Sequence, residues 1–269
     1  MSFDISGKTA IITGAAGGIG HGIARHFLDQ GANVVFADAS DKRLKTGCDD
    51  LGDHPNARLF VGDLREKLNI ANLVSTTLDA FDRVDILVNA ARMFSVTDPL
   101  DPADETVTAA LDHNLGIALR LSQAVARRMI AQAEAEETPR GQETGAIVNL
   151  SSIAAHRTQP QLLAYSISNA ALEQMTRSLA VALAPKGIRV NAIAVGSIMS
   201  GTLRETINEH PEYRESILAG TPLHRIGAPS DAAEMAQFLA SSASGFMTGQ
   251  ILGLDGGRSG LDAVQRPAH

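Results

Sequence analysis

Short runs of β-branched and other apolar residues alternate along the chain with longer amphipathic segments. This alternation is typical of βαβ units and predicts a parallel sheet. Strands are predicted near residues 8–13, 33–37, 57–61, 84–88, 145–150, 188–194 and 250–254. Helices are predicted near residues 18–30, 41–51, 65–80, 103–132, 161–184, 203–219 and 230–240. Uninterrupted apolar runs at 86–88 and 146–148 are expected where helices cover both faces of the sheet.

The segment 133–143 is the best candidate for a domain boundary, because it is rich in Glu and Gln and contains Pro139 and Gly141. We predict a solvent-exposed loop there. The strand pattern resumes directly afterwards, so we predict a single domain over residues 1–269. Its expected fold class is α/β, a doubly wound parallel sheet of about seven strands with helices on both faces.

Composition narrows the functional classes. The 269 residues include 23 Lys and Arg against 30 Asp and Glu, a net charge of −7 that argues against nucleic-acid binding, which needs a basic surface. No apolar run reaches the length of about 18 residues that spans a membrane. Cys48 is the sole cysteine, so an intrachain disulfide is impossible and we predict no metal site. Residues 1–8 lack the basic-then-apolar pattern of a secretory signal, so we expect a cytoplasmic protein.

Three glycines, Gly14, Gly18 and Gly20, lie between the first predicted strand and the first predicted helix. Glycine allows the backbone to turn sharply and to approach a diphosphate with no Cβ in the way. The helix N-terminus that follows offers unpaired N–H groups and a partial positive charge to phosphates. The pattern favours a dinucleotide site in a Rossmann-type fold, and an ordinary glycine-rich turn is the alternative.

The spacing G-x-x-x-G-x-G of these glycines is the one found in short-chain dehydrogenases, and the chain resembles the short-chain dehydrogenase/reductase family over nearly its whole length. The family's active-site asparagine, substrate-binding serine and catalytic tyrosine match Asn114, Ser152 and Tyr165. Ser152 lies 13 residues before Tyr165, which is the usual family spacing, and the chain has only two tyrosines. Further matches to the family's sixth and seventh strands lie at 189–196 and 247–257.

The resemblance implies hydride transfer between a nicotinamide cofactor and a small-molecule secondary alcohol or ketone. In the family, the tyrosine hydroxyl exchanges a proton with the substrate oxygen while the serine hydroxyl hydrogen-bonds that oxygen. The positions that match cofactor-binding residues of the family are Gly14, Gly18, Ile19, Gly20, Asp38, Asp63, Leu64, Asn89, Tyr165, Asn169, Ile198 and Ser200.

Asp38 ends the second predicted strand, where a carboxylate can accept hydrogen bonds from both adenosine ribose hydroxyls and repels the 2′-phosphate of NADP. NADP-binding relatives usually have Arg or Lys in the glycine loop or just after this strand. Here those positions are Ala15, Ala16, Ala39 and Ser40. We therefore predict NAD as the cofactor, with NADP less favoured; a turn-initiating aspartate is the alternative for Asp38. Asp63 matches the family's adenine-contacting aspartate and is also a candidate helix N-cap.

Asn169 stands four residues after Tyr165, at the position where the family has lysine. One helical turn places both side chains on the same face, and in the family the ammonium stabilises the tyrosinate and holds the nicotinamide ribose. Free tyrosine has a pKa near 10, and a unit charge about 5 Å away is worth roughly 3 kcal/mol at an effective dielectric constant of about 20. Asparagine lacks this charge, so we expect activity to need high pH. The alternative is an NAD-binding family member with impaired or no redox turnover.

Arg92 stands where the family has glycine, in a segment that reads Asn-Ala-Ala-Arg over 89–92 in place of Asn-Asn-Ala-Gly. One hypothesis is that its guanidinium partly replaces the missing ammonium, although arginine cannot shuttle a proton; the other is that it points to solvent. His113 is either a group that titrates near neutrality or a helix-surface residue. His156 and Arg157 lie where relatives border the substrate pocket and would favour a polar or anionic substrate, unless they form an exposed loop pair.

Members of the family are commonly tetramers or dimers, so the resemblance implies a homo-oligomer, with a homotetramer as the expected state. Small and aliphatic residues over 170–184 allow close helix approach, either between subunits or within the monomer. The segment 201–226 matches the mobile substrate lid of relatives, and 259–269 is expected to be a C-terminal tail.

Overall fold

The computed structural model of the chain describes residues 3–262, so most of the predicted tail at 259–269 lies outside the described residues. Within the described part, seven strands form one sheet. They are β1 Thr9–Thr13, β2 Asn33–Asp38, β3 Ala57–Val61, β4 Ile86–Asn89, β5 Gly145–Ser152, β6 Ile188–Val195 and β7 Ile251–Leu254. All neighbours pair in parallel, in the spatial order β3-β2-β1-β4-β5-β6-β7. The predicted fold class is confirmed.

Within residues 3–262, helices flank this sheet. They are α1 Gly18–Asp29, α2 Asp41–Gly47, α3 Lys67–Phe81, α4 Thr106–Ala110, α5 Ile117–Ala135, α6 Leu163–Leu183, α7 Gly201–Glu209, α8 Pro211–Ala219 and α9 Pro229–Ala240. The helix predicted at 103–132 is divided into α4, a π-helical turn at Leu111–Gly116 and α5. Because α5 extends to Ala135, the exposed loop begins later than predicted. No helix in residues 3–262 is long and apolar enough to cross a membrane.

Pro211 divides the helix predicted at 203–219 into α7 and α8. Proline has no backbone N–H, and its ring collides with the carbonyl of the residue four positions earlier, so it interrupts a continuing helix. The first position of a new helix tolerates it, because the N–H there has no intrahelical partner. No residue of α7 or α8 is fully buried, so both helices lie on the outside of the domain.

Two cores lie on opposite faces of the sheet. Phe27 of α1 and Leu239 of α9 pack on one face with Val88, and Leu121 of α5 packs on the other face with Leu87. Leu87 and Val88 are neighbours on β4 and enter opposite cores, because successive strand residues point to opposite faces. All five side chains have no exposed surface, and each such burial contributes about 1.5–3 kcal/mol relative to exposure.

The strand order reverses beside β1, because the chain runs from β1 through β2 to β3 on one side and returns to β4 on the other. Ligands of open α/β sheets bind outside the carboxyl ends of the strands at such a reversal. Strands β1, β2, β4 and β5 end there at Thr13, Asp38, Asn89 and Ser152. The fold therefore brings most of the candidate polar residues to one edge of the sheet.

Candidate active site

The glycine loop after β1 needs glycine for two separate reasons. Gly14 and Gly18 have φ angles of +67° and +60°, in the left-handed region that side chains with a Cβ rarely adopt. A Cβ on Gly14 would also lie 2.9 Å from the carbonyl oxygen of Ala90. A Cβ on Gly20 would overlap the carbonyl oxygen of Gly14, so α1 packs directly on the loop. Helix α1 begins at Gly18 with no side-chain cap, and the predicted cofactor residue Ile19 is buried behind it.

Asp38 lies at the end of β2 and is half-buried. Its Oδ2 accepts a hydrogen bond from the amide of Ala16 at 3.1 Å, and its Oδ1 accepts one from the amide of Ser40 at 2.9 Å. The first of these bonds ties the carboxylate to the glycine loop. A guanidinium nitrogen of Arg43 lies beside the same loop, 2.9 Å from the place where a Cβ on Gly17 would stand. The loop therefore has both an acidic and a basic side chain next to it.

Asp63, after β3, is bound to Arg65 rather than free. The Arg65 guanidinium donates to the carboxylate at distances down to 2.6 Å, and the Arg65 amide donates to Oδ1 at 3.0 Å. This interaction holds the pKa of the Asp63 carboxyl below its usual range. The alternative that Asp63 is a helix N-cap is wrong, because α3 has Glu66 at its N-cap and no side-chain cap. Leu64, the neighbouring candidate, is buried.

The segment that follows β4 is fixed to the end of β1. The Thr13 hydroxyl accepts hydrogen bonds from the amides of Ala90 and Ala91, each at 3.0 Å. Asn89 is buried and donates to Ser122 at 3.0 Å and to Asn149 at 2.8 Å, while its side-chain oxygen has no hydrogen-bond partner among the described residues. These contacts fix the backbone of the segment that leads from β4 to Arg92.

Asn114 lies in the π-helical turn between α4 and α5 and is buried. Its Oδ1 accepts from the amide of Met93 at 2.6 Å, and its Nδ2 donates to the Met93 carbonyl and to the Ser168 hydroxyl, both at 3.0 Å. Ser168 in turn donates to the carbonyl of Tyr165 at 3.0 Å. Asn114 therefore links the segment that carries Arg92 to the helix that carries Tyr165.

Tyr165 lies near the start of α6 and is 5% exposed. Nη1 of Arg92 donates to its hydroxyl oxygen at 3.3 Å. The ring of Phe94 meets the tyrosine ring edge-on, with centroids 5.3 Å apart. Although Arg92 is exposed overall, its guanidinium reaches the phenol, so the interpretation that it only points to solvent is wrong.

Asn169 lies one turn after Tyr165 on α6 and is 3% exposed. Its Nδ2 donates to the backbone carbonyl of Tyr165 at 2.8 Å. The amide is therefore bonded to its own helix and makes no hydrogen bond to the phenol. In the described residues, the cation that contacts the Tyr165 hydroxyl is Arg92.

Ser152 ends β5 and is buried. Its hydroxyl donates to the Val195 carbonyl at 3.4 Å and accepts from the Ala154 amide at 3.2 Å; within residues 3–262, no hydrogen bond joins it to Tyr165. Ser200 caps α7 by accepting from the Leu203 amide at 3.1 Å. Its Cβ also lies 3.6 Å from the position a Cβ on Gly18 would take.

Of the remaining candidates, His156 and Arg157 lie in an exposed loop. Nε2 of His156 lies 2.8 Å from Oε2 of Glu173, whose side chain is 2% exposed, and the Ser151 hydroxyl donates to the other oxygen at 3.1 Å. His156 is therefore paired with a buried carboxylate.

His113 is half-buried, and this burial lowers its pKa. Among the described residues, no group of three or more His, Cys, Asp or Glu is arranged to hold a metal ion.

Comparisons with known proteins show the family of the chain. A family model described as enoyl-(acyl carrier protein) reductase matches residues 14–259. The oxidoreductase UcpA of Salmonella typhimurium is 36% identical over 268 residues, which cover 97% of this chain and 97% of that protein. The chain belongs to the short-chain dehydrogenase/reductase family. It is an oxidoreductase of that family.

Two solved structures of similar proteins contain different cofactors. A 7α-hydroxysteroid dehydrogenase complexed with NADH and 7-oxo glycochenodeoxycholic acid is 33% identical, with a TM-score of 0.85 over 95% of this chain and 96% of that one. A gluconate 5-dehydrogenase from Burkholderia cenocepacia J2315, in complex with NADP and tartrate, is 28% identical, with a TM-score of 0.85 over 97% and 98%. The short-chain dehydrogenase/reductase fold therefore implies a nicotinamide cofactor and a small-molecule substrate.

The glycine loop of this short-chain dehydrogenase/reductase fits such a cofactor. The loop has no side chain beyond Cβ between Gly14 and Gly18, and the first amides of α1 have no side-chain cap. A diphosphate can approach such amides closely and interact with the helix dipole. Asp38 lies beside the loop at the end of the next strand.

Two residues near the site were missed by reasoning from the sequence. Arg43 was outside the positions considered because it lies in α2, five residues after Asp38. Glu173 was missed because an acid on a helix is normally expected to face solvent. Its position eight residues after Tyr165, on the same helix face, is the signal that could have drawn attention to it.

Proposed function

We propose that this enzyme is an NAD-dependent dehydrogenase/reductase that interconverts a secondary alcohol and a ketone. The observation that carries the proposal is the position of the Tyr165 hydroxyl. It lies on the helix that Asn114 links to the segment after β4, and it accepts a hydrogen bond from Arg92 at 3.3 Å.

The proposed chemistry needs a proton donor and an oxygen ligand. Tyr165 donates its proton to the carbonyl oxygen in reduction and takes one from the alcohol in oxidation. The Ser152 hydroxyl hydrogen-bonds the same oxygen as charge develops on it. When bound, the nicotinamide cofactor supplies or accepts the hydride. Asn114 holds both the Arg92 segment and α6 in position through Met93 and Ser168.

We also propose that Asn169 occupies the position of the family's active-site lysine and that Arg92 supplies the positive charge in its place. Support comes from the two hydrogen bonds: the Asn169 amide is bonded to the Tyr165 backbone, whereas the Arg92 guanidinium is bonded to the Tyr165 hydroxyl. Arginine keeps its proton at all working pH values. Arg92 therefore stabilises a tyrosinate without acting as a proton relay.

A second candidate is an NAD-binding family member with impaired or no redox turnover. It is favoured by the neutral, internally bonded side chain of Asn169. Calorimetry with NAD and NADH, followed by a turnover assay with a panel of secondary alcohols and ketones, separates the two. We expect cofactor binding and measurable NADH formation. Binding without turnover on any member of the panel would favour the second candidate, and no uptake of either cofactor at millimolar concentration would overturn both.

Replacing the charge tests the role of Arg92. Arg92→Ala is expected to lower turnover at neutral pH by about tenfold, because a charge pair at about 4 Å is worth between about 1 kcal/mol in water and about 4 kcal/mol at a dielectric constant of about 20. Adding Asn169→Lys to Arg92→Ala is expected to restore turnover, since it places an ammonium one helical turn from Tyr165. Steady-state kinetics across neutral and alkaline pH measure both changes. An Arg92→Ala enzyme that gains nothing from Asn169→Lys would show that positive charge is not what the site requires.

Substitution of Asp38 tests the cofactor preference. Asp38→Ser is expected to raise the affinity for NADPH relative to NADH by about 10- to 100-fold, because it removes a carboxylate that repels the 2′-phosphate and leaves Arg43 beside the loop to pair with it. Fluorescence titration with both reduced cofactors measures the ratio. The matched control is Asp38→Ser with Arg43→Ala, which is expected to lose most of the gain. An unchanged ratio in Asp38→Ser would contradict the proposed role of Asp38.

We further propose that the enzyme forms a homo-oligomer through α6. Support comes from the exposed side of this helix, which carries apolar or small side chains at Leu163, Ile167, Ala170 and Val181. Such side chains let two helices approach closely. Light scattering on the purified protein gives the subunit number.

A further inference from the structure

Within the described residues, the Arg92 guanidinium contacts the Tyr165 hydroxyl and has no acidic partner. Within residues 3–262, its hydrogen bond to the Tyr165 hydroxyl is its one side-chain contact with a polar group. By comparison, the guanidinium of Arg65 is paired with a carboxylate. A guanidinium has five N–H donors and no acceptor, so Arg92 retains donors that can bind an anion.

The backbone at Arg92 is held on both sides. Thr13 fixes the two residues before it by accepting their amide hydrogen bonds, and Asn114 fixes Met93, the residue after it, by bonding both its N–H and its carbonyl. The backbone that carries the cation is therefore held in place, although the side chain itself is exposed. Such support is what a residue needs in order to bind one end of a substrate reproducibly.

Distance restricts which anion can reach the guanidinium. A carbonyl oxygen held by the Tyr165 hydroxyl at about 2.7 Å lies within about 6 Å of Arg92 Nη1, since that nitrogen is 3.3 Å from the hydroxyl oxygen. A carboxylate on the carbon next to the carbonyl, or on the following carbon, falls within reach of the remaining N–H donors. The planar guanidinium matches a carboxylate through two parallel hydrogen bonds.

We infer that Arg92 binds the carboxylate of the substrate, and that the substrate class is short 2- or 3-oxo acids and the corresponding hydroxy acids. This inference rests on the proposed function, because it takes the carbonyl oxygen to lie at Tyr165. The chain has a net charge of −7, which disfavours anions in general. The positive charge of Arg92 beside the reacting oxygen would therefore attract a carboxylate at this one place.

The test compares each acid with its own methyl ester, which keeps the carbonyl and removes the charge. With pyruvate and acetoacetate and their methyl esters, the unsubstituted enzyme is expected to favour the acids by about 10- to 100-fold in kcat/KM, the value of a charge-assisted hydrogen bond. Arg92→Ala is expected to abolish this preference by raising KM for the acids alone, whatever its effect on kcat for both. Arg92→Lys keeps the charge but not the paired geometry and is expected to retain part of the preference. Arg140→Ala removes an exposed arginine that precedes β5, at the opposite end of that strand from Ser152, and is expected to keep all of it.

A binding measurement that needs no turnover accompanies the kinetics. Oxalate, which has adjacent carboxylates and is not reduced, is titrated by calorimetry into the NADH-saturated protein, and Arg92→Ala is expected to weaken its binding at least about tenfold. Equal kcat/KM for acid and ester, or oxalate binding that is the same without Arg92, overturns the inference. Weaker NADH binding in Arg92→Ala with an unchanged acid-to-ester ratio also overturns it, because Arg92 then belongs to the cofactor site. Failure of the proposed function looks different, since the unsubstituted enzyme then turns over no member of the panel of secondary alcohols and ketones. Turnover within that panel but of neither acid overturns the inference alone.

Discussion

Tyr165→Phe is expected to lower kcat by about 10²- to 10⁴-fold, the range that a positioned acid–base group contributes. The ring remains, so its edge-on contact with Phe94 and its burial on α6 are kept. Removal of the hydroxyl takes away the proposed proton donor and the acceptor of the Arg92 hydrogen bond. NADH affinity is expected to change by no more than a few-fold, because the loop beyond Gly14 and Asp38 is untouched. Stopped-flow and steady-state rates, with fluorescence titration of NADH, measure the two effects separately.

The chain offers a matched control for this substitution. Tyr213 is 47% exposed and stacks on His210, so Tyr213→Phe removes a phenol hydroxyl in an exposed setting and is expected to keep kcat within about twofold. If Tyr165→Phe retained most of the activity with an unchanged melting temperature, another group would have to supply the proton, and the assignment of Tyr165 would be wrong.

The sheet could be predicted from the sequence because each strand is a short apolar run between amphipathic segments. β1 and β4 are fully buried, and the residues 10–12 and 86–88 in them form continuous apolar runs. The interruptions of the helices were harder to place. Pro211 is visible in the sequence, although the prediction includes it in one helix. The π-helical turn at Leu111–Gly116 depends on i→i+5 hydrogen bonds, which the hydrophobic pattern does not specify.

Some site residues can likewise be recognised from a local sequence pattern, whereas others depend on contacts between distant parts of the chain. The glycine loop and the spacing of Ser152 and Tyr165 are local patterns, so the sequence alone indicated them. The direction of the Arg92 side chain depends on a contact between residues 73 positions apart, which joins the segment after β4 to the start of α6. The pairing of His156 with the buried Glu173 is equally invisible in the sequence, because it joins a loop to a helix face.

Gly20→Ala is expected to lower the free energy of unfolding by about 1–3 kcal/mol, the usual cost of overpacking a closely packed position. The added Cβ would overlap the carbonyl oxygen of Gly14 and lie 2.8 Å from its carbonyl carbon. Both atoms belong to the backbone, so no side-chain rotation can relieve the contact and the glycine loop itself must move. Gly14 is held against Ala90 and Ala91, so its displacement also disturbs the segment that carries Arg92. NADH affinity is therefore expected to fall more than about tenfold, beyond the loss of stability, because the loop amides no longer lie where a diphosphate needs them.

Chemical unfolding and NADH titration on the same preparations distinguish the two consequences of Gly20→Ala. Gly260→Ala is the control, because a Cβ at Gly260 would meet no atom within 4 Å, and it is expected to change neither quantity. In dinucleotide-binding loops the third glycine serves the close packing of helix on strand, so a loss of stability is expected in any case. The affinity is the deciding measurement: a destabilised Gly20→Ala protein that binds NADH as tightly as the parent would limit Gly20 to helix packing and separate the loop from the proposed cofactor site.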